Sequence, residues 1–197
     1  NGTVYQTPMT ELEAINEMLS LIGEPPINSL EDSDFNEADI ARTILRNTSR
    51  AVQAEGLHCN TAYNYKLHPD VNDKIQVPDN TLSLDPMDRT KDLIVYRGRL
   101  YNRDGFTDIF KEDVYVSIVF MQNFYDLPEH VRQYISIRAA RVFQERVLGS
   151  TNISQMTQDD EERARINMWS HEIDNRDANM LNSWPLSNGS IRRGSVW

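Results

Sequence analysis

The segment Thr10–Pro26, TELEAINEMLSLIGEPP, spells out one helix together with both of its ends. Thr10 and Glu13 stand three apart and form a capping box, in which each side chain accepts a backbone N–H of the first turn. Leu12, Ile15, Leu19 and Ile22 follow at spacings of three and four, which is one apolar stripe on a helix. Gly23 supplies a left-handed stop, and Pro25-Pro26 forbids continuation. A stripe of this kind needs other helices to cover it.

Three further segments answer that need. Asp34 and Glu37 mark the start of a second helix with Ala41, Ile44, Leu45, Thr48 and Val52 on one face and Gly56 at its end. A third begins near Asp126-Leu127-Pro128, an acidic cap with proline in the first turn. It aligns Val131, Ile135, Ala139 and Val142, with Tyr134, Arg138 and Arg141 beside them, and stops at Gly149. A fourth follows Thr157. The acids Asp159 to Glu162 fill its first turn, where the helix dipole favours them, and Ile166, Trp169 and Ile173 make its stripe. Leu12, Ile15, Leu19, Ile44, Leu45, Ile135, Ala139, Val142 and Trp169 are expected in the core.

Between the second and third helices the character changes. Pro69, Pro78, Pro86, Gly98 and Gly105 punctuate short β-rich runs at Thr61–Leu67, Lys74–Val77, Leu93–Tyr96, Arg99–Asn102 and Val114–Phe120. In the last run Val114, Val116, Ile118 and Phe120 alternate with Tyr115, Ser117 and Val119, the period of a half-buried strand. Arg97-Gly98 suits a tight hairpin turn.

The predicted fold is therefore mainly α with an inserted small antiparallel β-sheet, an α+β class: a four-helix bundle plus a β docking region. Residues 1–57 give the first helical pair and 58–122 the β insertion. Residues 123–181 give the second pair, packed with the first as one helical domain, and 182–197 form a C-terminal tail. In that tail Trp184, Ile191, Arg192, Arg193, Val196 and Trp197 sit among Ser, Asn and Gly, too few apolar groups to build a core. They are expected to bind a partner, because aromatics and arginines anchor interfaces.

Composition bounds the function. The 197 residues carry 39% hydrophobic side chains, enough for a single globular core. No apolar run approaches the roughly 20 residues of a membrane span, and Asn1–Pro8 lacks the basic-then-apolar order of a secretory signal. Cys59 is the single cysteine, so no internal disulfide framework exists, and folding in a cytoplasm fits. The net charge is −10, the opposite of a nucleic-acid-gripping footprint. The charge is uneven. Residues 1–45 hold nine acids against Arg42 alone, whereas residues 129–149 place Arg132, Arg138, Arg141 and Arg146 against Glu129 and Glu145. These four arginines are expected to meet an acidic neighbouring subunit, which would set orientation and association rate.

Catalytic chemistry finds little support. His58, His68, His130 and His171 show no metal-pair spacing, and His58-Cys59 offers two ligands where zinc needs three or four. The glycines are isolated and make no phosphate loop, and the serines lack a nucleophile elbow. Asp108 with Glu112 or Asp113, and Asp70 with Asp73, could supply the carboxylate pair of a glycosidase. Thirty acids in the chain make such pairs common by chance, and solvated loop acids are the plainer reading. No catalytic, cofactor-binding or metal residue is assigned.

The helix first quoted also carries a resemblance. Glu11-Leu12-x-Ala14-x-Asn16-x-Met18-Leu19-x-x-Ile22-Gly23-Glu24-Pro25-Pro26 is similar to the opening motif of the tail tubular A proteins of short-tailed, podovirus-type bacteriophages. Ala41-Arg42-x-Ile44-Leu45, Val77-Pro78-Asp79-Asn80-x-Leu82-x-Leu84, Leu127-Pro128-x-x-x-Arg132-x-Tyr134-Ile135 with Ala139-x-Arg141-x-Phe143, and Asn179-Met180-Leu181 extend it in order along the chain. One position departs: the family prefers tryptophan after the glycine that ends the second helix, where this chain has Gly56-Leu57. Leucine can fill an apolar pocket there but donates no hydrogen bond.

The resemblance implies a non-enzymatic virion protein assembled in the host cytoplasm. It would be a head-to-tail adaptor, a ring of twelve copies between the capsid portal and the nozzle built by tail tubular protein B. Double-stranded viral DNA would be retained by the ring and pass through it at ejection, without sequence-specific binding and without a membrane partner. An acidic wall suits such passage, since fixed cations would grip phosphates. The alternatives are a tail-associated glycan hydrolase and an unrelated helical scaffold.

Overall fold

The computed structural model describes residues 7–31, 36–149 and 157–183, with side chains described as far as Arg176. Four helices frame it: α1 (Glu11–Leu21), α2 (Asn36–Gln53), α3 (Glu129–Leu148) and α4 (Gln158–Ser183). Five strands lie between α2 and α3: β1 (Thr61–Leu67), β2 (Thr81–Pro86), β3 (Leu93–Tyr96), β4 (Arg99–Asn102) and β5 (Val114–Phe120). The fold is α+β, with small antiparallel sheets set between two helical pairs.

The capping box at Thr10 and Glu13 forms as the spacing predicts, and Gly23 takes the left-handed φ of +79° that stops α1. Asn16 adds a contact the periodicity does not reveal. Its amide accepts from the Ile27 N–H at 2.9 Å and donates to the Ile27 carbonyl at 3.1 Å, folding the chain after Pro25-Pro26 back onto α1. Asp34 lies outside the described residues.

Helix α3 is central: α1, α2 and α4 all pack on it. Ala14, Ile15, Met18, Leu19, Ile44, Leu45, Val131, Ile135, Ala139 and Phe143 fill this helical core, and Leu57 closes it, fully buried. Leu12, Val142 and Trp169, expected to be buried, are half-buried at its margin. The start of α3 also differs from expectation. Asp126 belongs to a short 3-10 turn, and Pro128 itself occupies the cap position without a side-chain bond. Arg132 takes over the work, donating to the carbonyls of Leu127 at 2.7 Å, Met9 at 2.9 Å and Tyr125.

Two sheets replace the single one expected. β5 runs between β1 and β2, antiparallel to both, and β3 pairs with β4 as a separate hairpin. The hairpin turns at Arg97-Gly98, both with positive φ, which matches the right-handed strand twist. Strand β2 carries little sequence signal: its run, TLSLDP, follows Pro78, ends in Pro86 and has only two half-buried leucines at a sheet edge. Lys74–Val77 is not a strand; it makes one bridge, Gln76 to Arg99, and hydrogen-bonds along β4. In β5 Val119 is buried and Phe120 only half-buried, reversing the end of the expected alternation. Leu67, Ile75, Val77, Leu93, Leu100, Val114, Val116 and Ile118 form a second core between the sheets.

A polar seam fastens the two parts. The Gln53 amide, fully buried, bonds the Gln122 N–H at 2.7 Å and its carbonyl at 3.1 Å. The Asn60 amide donates to the carbonyls of Gln53 at 3.0 Å and Phe120 at 2.9 Å, and its oxygen accepts from Leu57 N–H at 2.9 Å. The chain thus leaves and rejoins the helices at one point.

Candidate assembly surfaces

The α3 arginines are largely engaged inside the subunit. Arg132 makes the three carbonyl contacts above. Arg138 lies 3.7 Å from Glu55 and 3.8 Å from Glu161, and Arg141 pairs with Glu161 and Glu145. These pairs, with hydrogen bonds to Glu161 foremost, hold the Arg141 guanidinium above its ordinary range. Arg146, exposed in the last turn, has no ion pair among the described residues. Trp184, Ile191, Arg192, Arg193, Val196 and Trp197 lie outside the described residues.

Helix α4 begins as its sequence suggests, through a second capping box: Asp160 N–H donates to Thr157 Oγ1 at 3.2 Å, and Thr157 N–H to Asp160 at 3.0 Å. Its inward face is a correction. Met168 and Glu172 are buried, while Ile166 and Ile173 are 59% and 54% exposed. The expected apolar stripe therefore faces outward, with Trp169 half-covered at its edge. The helical period is the predicted one, but the buried face sits about a quarter-turn away, because charged groups fasten α4. At its start Glu161 meets Arg138 and Arg141. Farther along, the Glu172 carboxylate accepts from the His58 backbone N–H and lies 3.0 Å from His130 Nε2. His130 stacks on His171 with centroids 5.1 Å apart. Nothing in the spacing of these residues reveals that network, since its members come from three separate segments.

Four of the five carboxylate candidates have a local partner. Asp108 is 2.9 Å from Lys74, Asp113 pairs with Lys66 and His68, Asp73 with Lys111, and Asp70 accepts the backbone N–H groups of Asn72 and Lys74. The hydrogen bonds to Asp70, Asp108 and Asp113 hold all three carboxyls below their usual range. A glycosidase acid needs the opposite shift. Glu112 is exposed. Burial, then the charge of Glu172, push the Cys59 thiol up to about 11, so it stays protonated. Among the described residues no group of three or more His, Cys, Asp or Glu side chains is placed to hold a metal, and no helix is long and apolar enough to cross a membrane.

The β region presents the most exposed apolar side chains. Val71 and Phe106, at two loop tips, are 98% and 85% exposed, and Tyr63, Tyr96 and Tyr115 stand out from the sheets. Phe106 has a left-handed φ of +50°, which a bulky residue rarely adopts and which aims its ring away from the core. Such a surface suits protein contact better than solvent.

Comparison with known proteins shows what the chain is similar to. A family profile described as "Tail tubular protein" matches residues 12–178. Tail tubular protein A of Klebsiella phage KP34 is 28% identical over 154 residues, 78% of this chain and 82% of that protein.

Proposed function

The chain belongs to the tail tubular protein family and is a structural component of a bacteriophage tail; from that premise we propose that it forms a ring joining the capsid portal to the tail nozzle. Twelve copies surround a channel that retains the packaged DNA and passes it at ejection. The helical pairs make one domain forming the wall, the β insertion is a docking face, and the C-terminal segment reaches the portal. The observation that carries this reading is the division of the chain into two separate cores, one helical and one β, with exposed apolar and aromatic side chains concentrated on the β part. The helical part can form the wall while the β part supplies exposed contacts, to a different protein and to the neighbouring copy.

Electron microscopy of the protein mixed with its portal tests the reading. Rings seated coaxially on the portal are the expected result. Protein that neither binds the portal nor forms rings would overturn it. The chain is expected to turn over no polysaccharide. Saturable hydrolysis lost in Asp108→Asn or Asp113→Asn would reverse that expectation.

A further inference from the structure

Most cations of the β region are already paired: Lys66, Lys74, Lys91, Arg103 and Lys111 each lie against an aspartate. Arg97 and Arg99, flanking Gly98 at the β3–β4 turn, make no ion pair among the described residues. They line an open cleft of about 500 Å³ with Lys74, Gln76, Tyr96 and Asp108, three cations against one carboxylate. Arg97 holds a left-handed φ of +53° where a hairpin turn prefers Asn or Gly. A residue kept against its backbone preference points to a role beyond the turn. Its guanidinium lies 5.1 Å from the centroid of the Tyr96 ring. With the Gln76 amide turned so that its oxygen faces Arg99, that oxygen accepts from Arg99 Nε at 2.9 Å. The terminal nitrogens are left for a ligand. Two guanidinium forks beside an exposed tyrosine are the side chains that dominate protein interfaces.

A pair of acids with matching spacing lies elsewhere on the same chain. Glu13 and Glu17 stand four apart on the exposed face of α1, and neither has a cationic partner among the described residues. Like charges at this spacing repel. Partial burial and then the Glu13 charge hold the Glu17 carboxyl above its ordinary range. Helix α1 packs on α2 and α3, whereas the β3–β4 hairpin packs on β2, so the two surfaces belong to different parts of the molecule.

We infer that the Arg97–Arg99 cleft of one copy receives the Glu13–Glu17 ridge of a second copy. The contact is head-to-tail, the class that closes into rings. Two carboxylates one helical turn apart face two forks across one tight turn: a fork can bind Glu17 bidentately, while Glu13, one oxygen of which accepts the Thr10 N–H at 2.8 Å, offers its other oxygen. A nucleic acid fits less well, because its phosphates would extend onto Asp70 and Asp108, which lie close enough to Arg99 to feel its charge. The inference rests on the ring reading above and assigns residues to it.

Charge exchange tests it. Self-association is measured by sedimentation equilibrium for the wild type, for R97E/R99E, for E17R and for R97E with E17R in one chain, with thermal melting to verify folding. R97E/R99E and E17R are each expected to weaken association at least tenfold, and the combined variant to recover most of that loss. Unchanged association of R97E/R99E, or no recovery in the combined variant, would overturn the inference. So would loss of binding to short duplex DNA with self-association intact. Rings of R97E/R99E on the portal indistinguishable from wild type would sink this contact and leave the adaptor reading standing. A wild type that forms no ring, alone or with portal, would sink both.

Discussion

Glu172 is a carboxylate turned inward on a helix whose isoleucines face out, so its bonds must offset the cost of taking a charge from water. It accepts from the His58 N–H and His130 Nε2, and these two contacts tie α4 to the start of the β region and to α3. Glu172→Ala strands both donors. The expected loss is roughly 1–3 kcal/mol in urea unfolding, with Glu172→Gln costing less because its oxygen still accepts one bond. An alanine variant as stable as wild type would contradict this account. The same carboxylate acts on Cys59. A folded-state pKa raised to about 11, above the ordinary thiol value, means the folded chain holds its proton longer than the unfolded one. The stability this contributes is intact below about pH 8.5 and is lost as pH rises toward 11. Unfolding midpoints measured from pH 8 upward should therefore fall more steeply in wild type than in Cys59→Ala, and identical slopes would argue against a half-buried thiol that stays protonated.

Among the elements, α4 is the one whose burial runs against its apolar pattern. Met168→Ala should cost about 2–5 kcal/mol as a core truncation. Ile166→Glu with Ile173→Glu should change monomer stability by no more than about 0.5 kcal/mol per site, as surface substitutions do. A large loss in the isoleucine variant would mean the outward face is covered in the isolated subunit. The contrast also marks what a sequence can reveal. The capping box of α1, the stops at Gly23 and Gly149, four of the five strand ranges and the turn at Arg97-Gly98 are local signals, and each was readable from residues a few positions apart. The inward face of α4, the separation into two sheets and the engagement of Arg132, Arg138 and Arg141 are set by residues distant in the chain. A hydrophobic period gives the pitch of a helix but not its rotation, and an arginine's sequence neighbours do not include the glutamate that meets it from another helix.

At the scale of the whole molecule, Arg132, Arg138 and Arg141 of α3 are engaged within the subunit, whereas Arg97 and Arg99 on the β3–β4 hairpin make no ion pair among the described residues. Assembly that joins this hairpin to the acidic α1 should weaken as salt rises, since exposed charges are screened within about 10 Å at 0.1 M. The C-terminal segment gives a second prediction at this scale. Deleting residues 183–197 is expected to leave a normally folded subunit, by circular dichroism, that no longer binds portal. A truncated protein with unchanged portal affinity would show that the contact lies elsewhere.

The seam formed by Gln53 and Asn60 brings Thr61 opposite Val119, so the first and last strands of the β region leave the helices side by side. Paired strands stand only about 5 Å apart. A segment whose two ends nearly touch can be cut out and replaced by a two- or three-residue bridge, or by a foreign segment with equally close ends, without stretching the helices that flank it. On this geometry we expect the region to act as an exchangeable cassette, so long as an incoming segment keeps the arginine pair that the proposed contact between copies requires.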